Sequence, residues 1–277
     1  MKKRVALPKQ PTPIVHASEP VETSEDRRAF PIVGIGASAG GLEAFTQLLQ
    51  ALPSNTGMAF VLVQHLDPTH TSFLAEALSK ATAMPVRQAE DGQRVEPDHV
   101  YVIPPNTELG LLHGRLTLLP RHDEARKLHL PVDFFFRALA ADCGGHAIGV
   151  IRSGNASDGT EGLKAITASD GIPIAPDPRS AKFGGMPHSA IAAGVVDHAL
   201  LIPELAQELV RLSHHPYVAA RQPRQQKNDD STLNKIFVIV RNAVGADFSE
   251  YKGATFERRL ARRMALRQVE ELQDYLA

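Results

Sequence analysis

Only one cysteine, Cys143, occurs in 277 residues, so no internal disulfide can hold this chain together. A disulfide-stapled scaffold is excluded, and the cysteine usage fits a reducing, cytoplasmic setting. Excess charge of either sign is missing as well: 30 lysines and arginines oppose 31 aspartates and glutamates, a formal net charge of -1 at pH 7. That balance gives no global attraction to nucleic acid or to an anionic membrane. Long apolar runs are absent too. No stretch reaches the roughly 18 uninterrupted apolar residues that a membrane-spanning helix needs, so no membrane insertion is expected. The opening "MKKRVALPKQPTPIVHASEP" starts with basic residues as an export signal does, but Pro8, Pro11, Pro13 and Pro20 interrupt any apolar core. Residues 1–29 therefore read as a disordered tail. The chain of 277 residues is 43% hydrophobic and 22% charged, enough to bury a sizeable core in one large domain with room for an appendage.

From residue 31 onward strand-like and helix-like segments alternate. "PIVGIG" reads as a buried strand, followed by the helical "GLEAFTQLLQAL" with Leu42, Phe45, Leu48, Leu49 and Leu52 on one face. "MAFVLVQ" is a second strand, whose unbroken apolar run suits burial on both sides of a parallel sheet, and "THTSFLAEALSKAT" a second helix. Residues 100–119 look like short strands turning at His113-Gly114. "PVDFFFRALAADC" places Pro131 in the first turn of a helix, where its missing N–H costs little. The strand "HAIGVI", the loop "RSGNASDG", a helix from Thr160, the strand "IPIA", the helix "PHSAIAAG" and a closing helix "IPELAQELVRL" complete the series. Such alternation predicts an α/β fold, a doubly wound and mostly parallel sheet with helices on both faces, over residues 30–213. Ligands of these sheets lie at the carboxyl ends of the strands.

One glycine-rich stretch, "GIGASAGG", supports more than one chemistry. Gly34-x-Gly36-x-x-Ala39 fits a dinucleotide fingerprint, whereas Gly36-x-Ser38-x-Gly40 fits a nucleophile elbow; both need a strand, a tight turn and a helix. Ser38 follows the first strand, His65 ends the second, and Asp158 sits in the loop after "HAIGVI", so a hydroxyl, an imidazole and a carboxylate converge on one sheet edge. A serine becomes nucleophilic when an imidazole takes its proton, and a carboxylate fixes the imidazole tautomer. Amides freed by Gly36, Gly40 and Gly41 at the helix start suit a tetrahedral oxyanion. Singly, Ser38 and Asp158 read as caps of the helices that follow them and His65 as a core residue; jointly they favour catalysis. A dinucleotide site would need an acidic residue ending the second strand, where Asp67 stands before Pro68, and would leave His65 and Asp158 idle.

"GIGASAGGLEAF", "VLVQHLDPTHTS", "AEDGQRVEPDHVYVIPPN", "LPVDFFFRALA", "SDGTEGLKAI" and "FGGMPHSAI", six blocks in order over residues 31–212, resemble the catalytic domain of the chemotaxis receptor methylesterase family, CheB. The resemblance implies a Ser38, His65 and Asp158 triad, hydrolysis of glutamate γ-methyl esters and deamidation of glutamines on chemoreceptor cytoplasmic helices. It implies no metal and no cofactor. The family commonly has threonine where Ala39 stands and methionine where Asn155 stands; Ala39, Gly40 and Asn155 are the expected oxyanion and loop positions. Arg152, ending an apolar strand, is expected to be a solvated strand end. Many family members carry an amino-terminal phosphoacceptor domain; with some thirty residues before the first strand, that mode of control is not expected here.

Residues 214–232 read as a polar linker. Residues 233–277 resemble the first helices of the receptor methyltransferase family, CheR, and stop short of a cofactor-binding domain, so no methyltransferase activity is expected. Within them "FERRLARRMALR" is amphipathic, with Phe256, Leu260 and Met264 on one face and Arg259, Arg263 and Arg267 beside it as an expected receptor-docking stripe. Beside the active methylesterase stand two other readings: a dinucleotide-binding protein on Gly34, Gly36 and Ala39, and a catalytically weak signalling module that keeps the fold.

Overall fold

The first strand, β1 (Ile32–Ala37), shows how this sequence builds its layers, because its two faces are made of different residues. Val33, Ile35 and Ala37 point into one apolar cluster, while Ile32 alternates with Gly34 and Gly36 on the other side. A Cβ at Gly34 would lie 2.9 Å from atoms of Phe135 and Leu139, and one at Gly36 would overlap Val132. These two glycines therefore let a helix settle flush on the centre of the sheet. That use of the space leaves the dinucleotide fingerprint without its phosphate approach.

The computed structural model describes residues 30–66, 72–121, 129–155, 157–180, 182–219 and 253–276, together with 235, 236 and 239. After β1 come α1 (Gly41–Ala51), β2 (Ala59–Gln64), α2 (Leu74–Ser79), β3 (Val86–Gln88) and β4 (Val100–Val102). The hairpin β5 (Thr107–Leu112) and β6 (Arg115–Pro120) precedes α3 (Pro131–Cys143), β7 (Ala147–Ile151), α4 (Thr160–Ala168) and β8 (Ile172–Pro176). α5 (Gly185–Ala192), β9 (His198–Leu200) and α6 (Ile202–His214) close the α/β domain, and α7 (Gly253–Leu266) and α8 (Leu272–Leu276) follow.

Seven strands form one sheet in the order β3-β4-β2-β1-β7-β8-β9, and every pairing in it is parallel. The order runs outward from β1 in one direction and from β7 in the other, so the switch point lies between β1 and β7. α1, α2 and α6 cover one face with Phe45, Leu48, Leu78 and Leu209; α3, α4, α5 and the hairpin cover the other with Phe135, Phe136, Leu163 and Met186. The hairpin turns at His113 and Gly114 as expected, with φ 49° and 75°, the two left-handed residues of a tight hairpin turn.

Differences from the sequence reading have local causes. Leu42 is exposed rather than buried on α1, its place inside being taken by Ala44. α2 is a six-residue helix with Phe73 exposed before it. The short strands β3 and β9, three residues each, escape notice because neither has room for a periodic pattern. The start of the expected linker is packed: Val218 is fully buried against the core, His215 is buried, and Tyr217 donates its hydroxyl to Asp170 O at 2.6 Å.

α7 lies against the amino-terminal edge of the sheet. Arg258 pairs with Asp170 at 2.6 Å, and Arg262 pairs with Asp197 and donates from Nε to Gly171 O at 3.0 Å, just ahead of β8 and β9. Arg211 of α6 donates to Ala265 O at 2.7 Å, and Met264 and Ala265 are buried. Among the described residues no helix is long and apolar enough to cross a membrane.

Candidate active site

The carboxyl ends of β1, β2 and β7 meet at the switch point, and each delivers one of the expected groups. Ser38 leaves β1 half-buried, with its backbone N–H donating to Ser153 O at 2.7 Å. Gly40 then takes φ 73°, ψ 15°, the left-handed turn that starts α1. Among the described residues the amides of Ala39 and Gly40 donate to no backbone acceptor, which leaves two N–H groups available in the turn that follows Ser38. Gly154 packs on the other side: a Cβ there would come within 3.0 Å of Ser38 Cβ and would overlap Met186 Sδ. The Gly154 strap is held by two backbone bonds, Gly154 N–H to Phe183 O and Met186 N–H to Gly154 O, both 2.9 Å.

His65 follows β2 and faces Asp158 across the sheet edge, Nε2 to Oδ2 at 2.7 Å. The imidazole side chain is 32% exposed and the carboxylate side chain fully buried. Asp158 Oδ2 also accepts the Val132 N–H at 3.1 Å, and Oδ1 accepts the Asp133 N–H at 2.9 Å. Three donors thus converge on the carboxylate, which compensates its removal from water. With Asp158 accepting, Nε2 carries the imidazole proton and Nδ1 keeps the lone pair. Asp158 does not cap the helix that follows it. Gly159, with φ 90°, precedes α4, and the carboxylate serves the first turn of α3, 25 residues earlier in the chain.

A neighbour that sequence reasoning missed is His129, whose ring stands edge-on to that of His65 with centroids 5.9 Å apart. Burial first, then Arg121 and His65, pull His129 below the ordinary histidine range, against Glu108 and Asp158. Its only signal in the sequence is its position two residues before Pro131, since α3 starts where Asp158 holds it. Asn155 is exposed. Ser38 Oγ makes no hydrogen bond with His65 among the described residues; nucleophile–base contacts commonly tighten only around substrate. Arg152, expected at a solvated strand end, is only 2% exposed. Arg259 and Arg263 on α7 and Arg267 just after it are exposed, while Arg258 and Arg262 hold the α/β domain. Asp67 lies outside the described residues.

The family model described as CheB methylesterase matches residues 33–209, well over half of the chain and all of the sheet but Ile32. This chain belongs to the CheB methylesterase family. A second model, CheR methyltransferase, all-alpha domain, matches residues 231–277. The crystal structure of the Thermotoga maritima CheB methylesterase catalytic domain is similar to it with a TM-score of 0.62 and 33% identity, covering 67% of this chain and 100% of that one. The protein-glutamate methylesterase/protein-glutamine glutaminase of Yersinia pestis is 37% identical over 182 residues, 65% of this chain and 52% of that protein. An uncharacterised 104.1 kDa protein of Rhodobacter capsulatus is 38% identical over 225 residues, 73% of this chain and 23% of that protein. The chain therefore spans a quarter to a half of the length of such relatives.

Proposed function

We propose that this chain is a serine hydrolase of chemotaxis-type signalling, a protein-glutamate methylesterase that also deamidates receptor glutamines. The observation that carries the proposal is the buried Asp158 carboxylate holding His65 at 2.7 Å, with Ser38 at the end of β1, the strand between β2 and β7 in a CheB-family sheet. Relatives named protein-glutamate methylesterase/protein-glutamine glutaminase support the substrate class.

In this mechanism Ser38 Oγ attacks the ester carbonyl carbon while His65 Nδ1 takes the hydroxyl proton. The carbonyl oxygen becomes an oxyanion that the Ala39 and Gly40 amides receive. Asp158 fixes the tautomer and stabilises the imidazolium. Collapse breaks the bond to the methoxy oxygen, and His65 returns the proton so that methanol leaves and an acyl-serine remains. A water, deprotonated by the same nitrogen, then frees the glutamate carboxylate and restores Ser38. With a glutamine substrate the leaving group is ammonia. Ala39 contributes through its backbone, so a methyl where threonine is usual leaves the amide pair in place. Asn155 is exposed on the loop before Asp158, and His129 stands edge-on to the imidazole. Docking to methylated receptor helices through Arg259, Arg263 and Arg267 is part of the proposal, because these three are exposed.

Ser38→Ala tests it. Methanol release from methylated receptor should fall roughly a millionfold with an unchanged melting midpoint. A variant keeping a tenth of the rate overturns the assignment.

A further inference from the structure

Arg152 ends β7 with its guanidinium inside the protein. It is 2% exposed, Nη2 donates to Ala44 O at 3.0 Å, and Nε and Nη1 are buried without any partner. No carboxylate among the described residues lies within ion-pair distance of it. Burial alone pushes its pKa down to about 10, still far above neutrality, so the group is charged. An ionised, uncompensated guanidinium in the interior is costly, and proteins offset such a cost with a counter-charge.

Arg152 lies at the floor of a cavity of about 260 Å³ on the far side of the nucleophile turn, reached past Gly40, Ser153, Ser180, Arg179 and Lys182. The cations at its mouth have partners of their own. Lys182 pairs with Glu43 at 3.1 Å, and Arg179 pairs with Asp177 at 2.6 Å. Three positive side chains against two negative ones leave one unit of positive charge, which belongs to Arg152.

We infer that this cavity is a binding site for a small, freely diffusing oxyanion, a phosphate or carboxylate group held by Arg152, with the Ser153 hydroxyl, which otherwise only accepts from the Phe183 N–H, as a further donor and Lys182 at the entrance. The buried floor and small volume favour a free ion over a side chain of a docked helix. Delocalised, weakly hydrated guanidinium is suited to such a partner. Arg152 already grips Ala44 of α1, and Ser153 O accepts the Ser38 N–H, so the bound ion tightens the two backbone segments that carry the nucleophile.

The test needs no ester substrate and is independent of the hydrolase reading. The full chain is titrated with inorganic phosphate and, separately, with acetate, against chloride at matched ionic strength, by calorimetry and by thermal unfolding. At a hundredfold excess over Kd the midpoint should rise by roughly 5–10 °C, and the tighter of the two ions identifies the source chemistry. Arg152→Leu should weaken binding at least a hundredfold and Lys182→Ala about three- to tenfold. An Arg152→Leu protein that binds within twofold of the parent, or a parent that responds to both oxyanions only as it does to chloride, overturns the inference. If Arg152→Leu does not fold, Arg152→Lys decides: it keeps the charge but loses the planar fork, and an undiminished affinity there likewise overturns it.

Discussion

Replacing Asp158 with asparagine separates two duties that the carboxylate performs at once. Asp158 receives three donors: His65 Nε2 at 2.7 Å, Val132 N–H at 3.1 Å and Asp133 N–H at 2.9 Å. Asparagine keeps one oxygen. With Oδ1 left on Asp133, the amide nitrogen faces both Val132 N–H and His65 Nε2. Val132 N–H then loses its acceptor in a buried setting, at about 1–3 kcal/mol, and the melting midpoint falls by roughly 2–4 °C for each kcal/mol. At His65 the amide N–H turns Nε2 into an acceptor, which moves the imidazole proton to Nδ1. That nitrogen can no longer take the Ser38 proton, so turnover should fall on the order of ten-thousandfold. Methanol release and thermal unfolding of the same preparation read the two effects. A protein that loses its expected few degrees but keeps more than a tenth of its rate would show that Asp158 only anchors α3, and the mechanism would fail.

Gly36→Ala should destabilise by about 1–3 kcal/mol in chemical denaturation, because its new methyl overlaps Val132 and displaces α3 from the sheet; an unchanged midpoint would refute that packing. His215, under the α7 contact, is held neutral chiefly by burial, assisted by Arg211 and opposed by its bond to Val269 O and by Glu270 and Glu208. Its folded pKa is lowered, so the unfolded chain binds the proton more readily and stability falls as pH drops below about 6.5. Thermal unfolding from pH 7.5 to 5 should show a decline that His215→Gln lessens; parallel curves would discount the group.

The overall architecture was legible because the strands on either side of the switch point are apolar throughout and the helices between them are periodic. The edge strands β3 and β9 were not, because three residues carry no period. Residue order alone placed Ser38, His65 and Asp158 on one edge. The partner that Asp158 caps could not be read that way, because Val132 and Asp133 lie 26 and 25 residues away in the chain and are reached only through the fold. Arg152 was misjudged for a related reason. A charged residue at a strand end is usually solvated, and only the covering turn at Ala44 makes it interior. Gly34 and Gly36 carried a pattern that two chemistries share; the rings and methyls of α3 decide between them.

The first amides of a helix have no partner within it and ordinarily trade their hydrogens with water quickly. In α3 those of Val132 and Asp133 are held by the same carboxylate that holds the imidazole. Their exchange rates therefore form a built-in gauge of the His65–Asp158 contact, readable in the resting protein. Slow exchange at these two positions marks an assembled edge, and faster exchange reports its loosening before any product has formed.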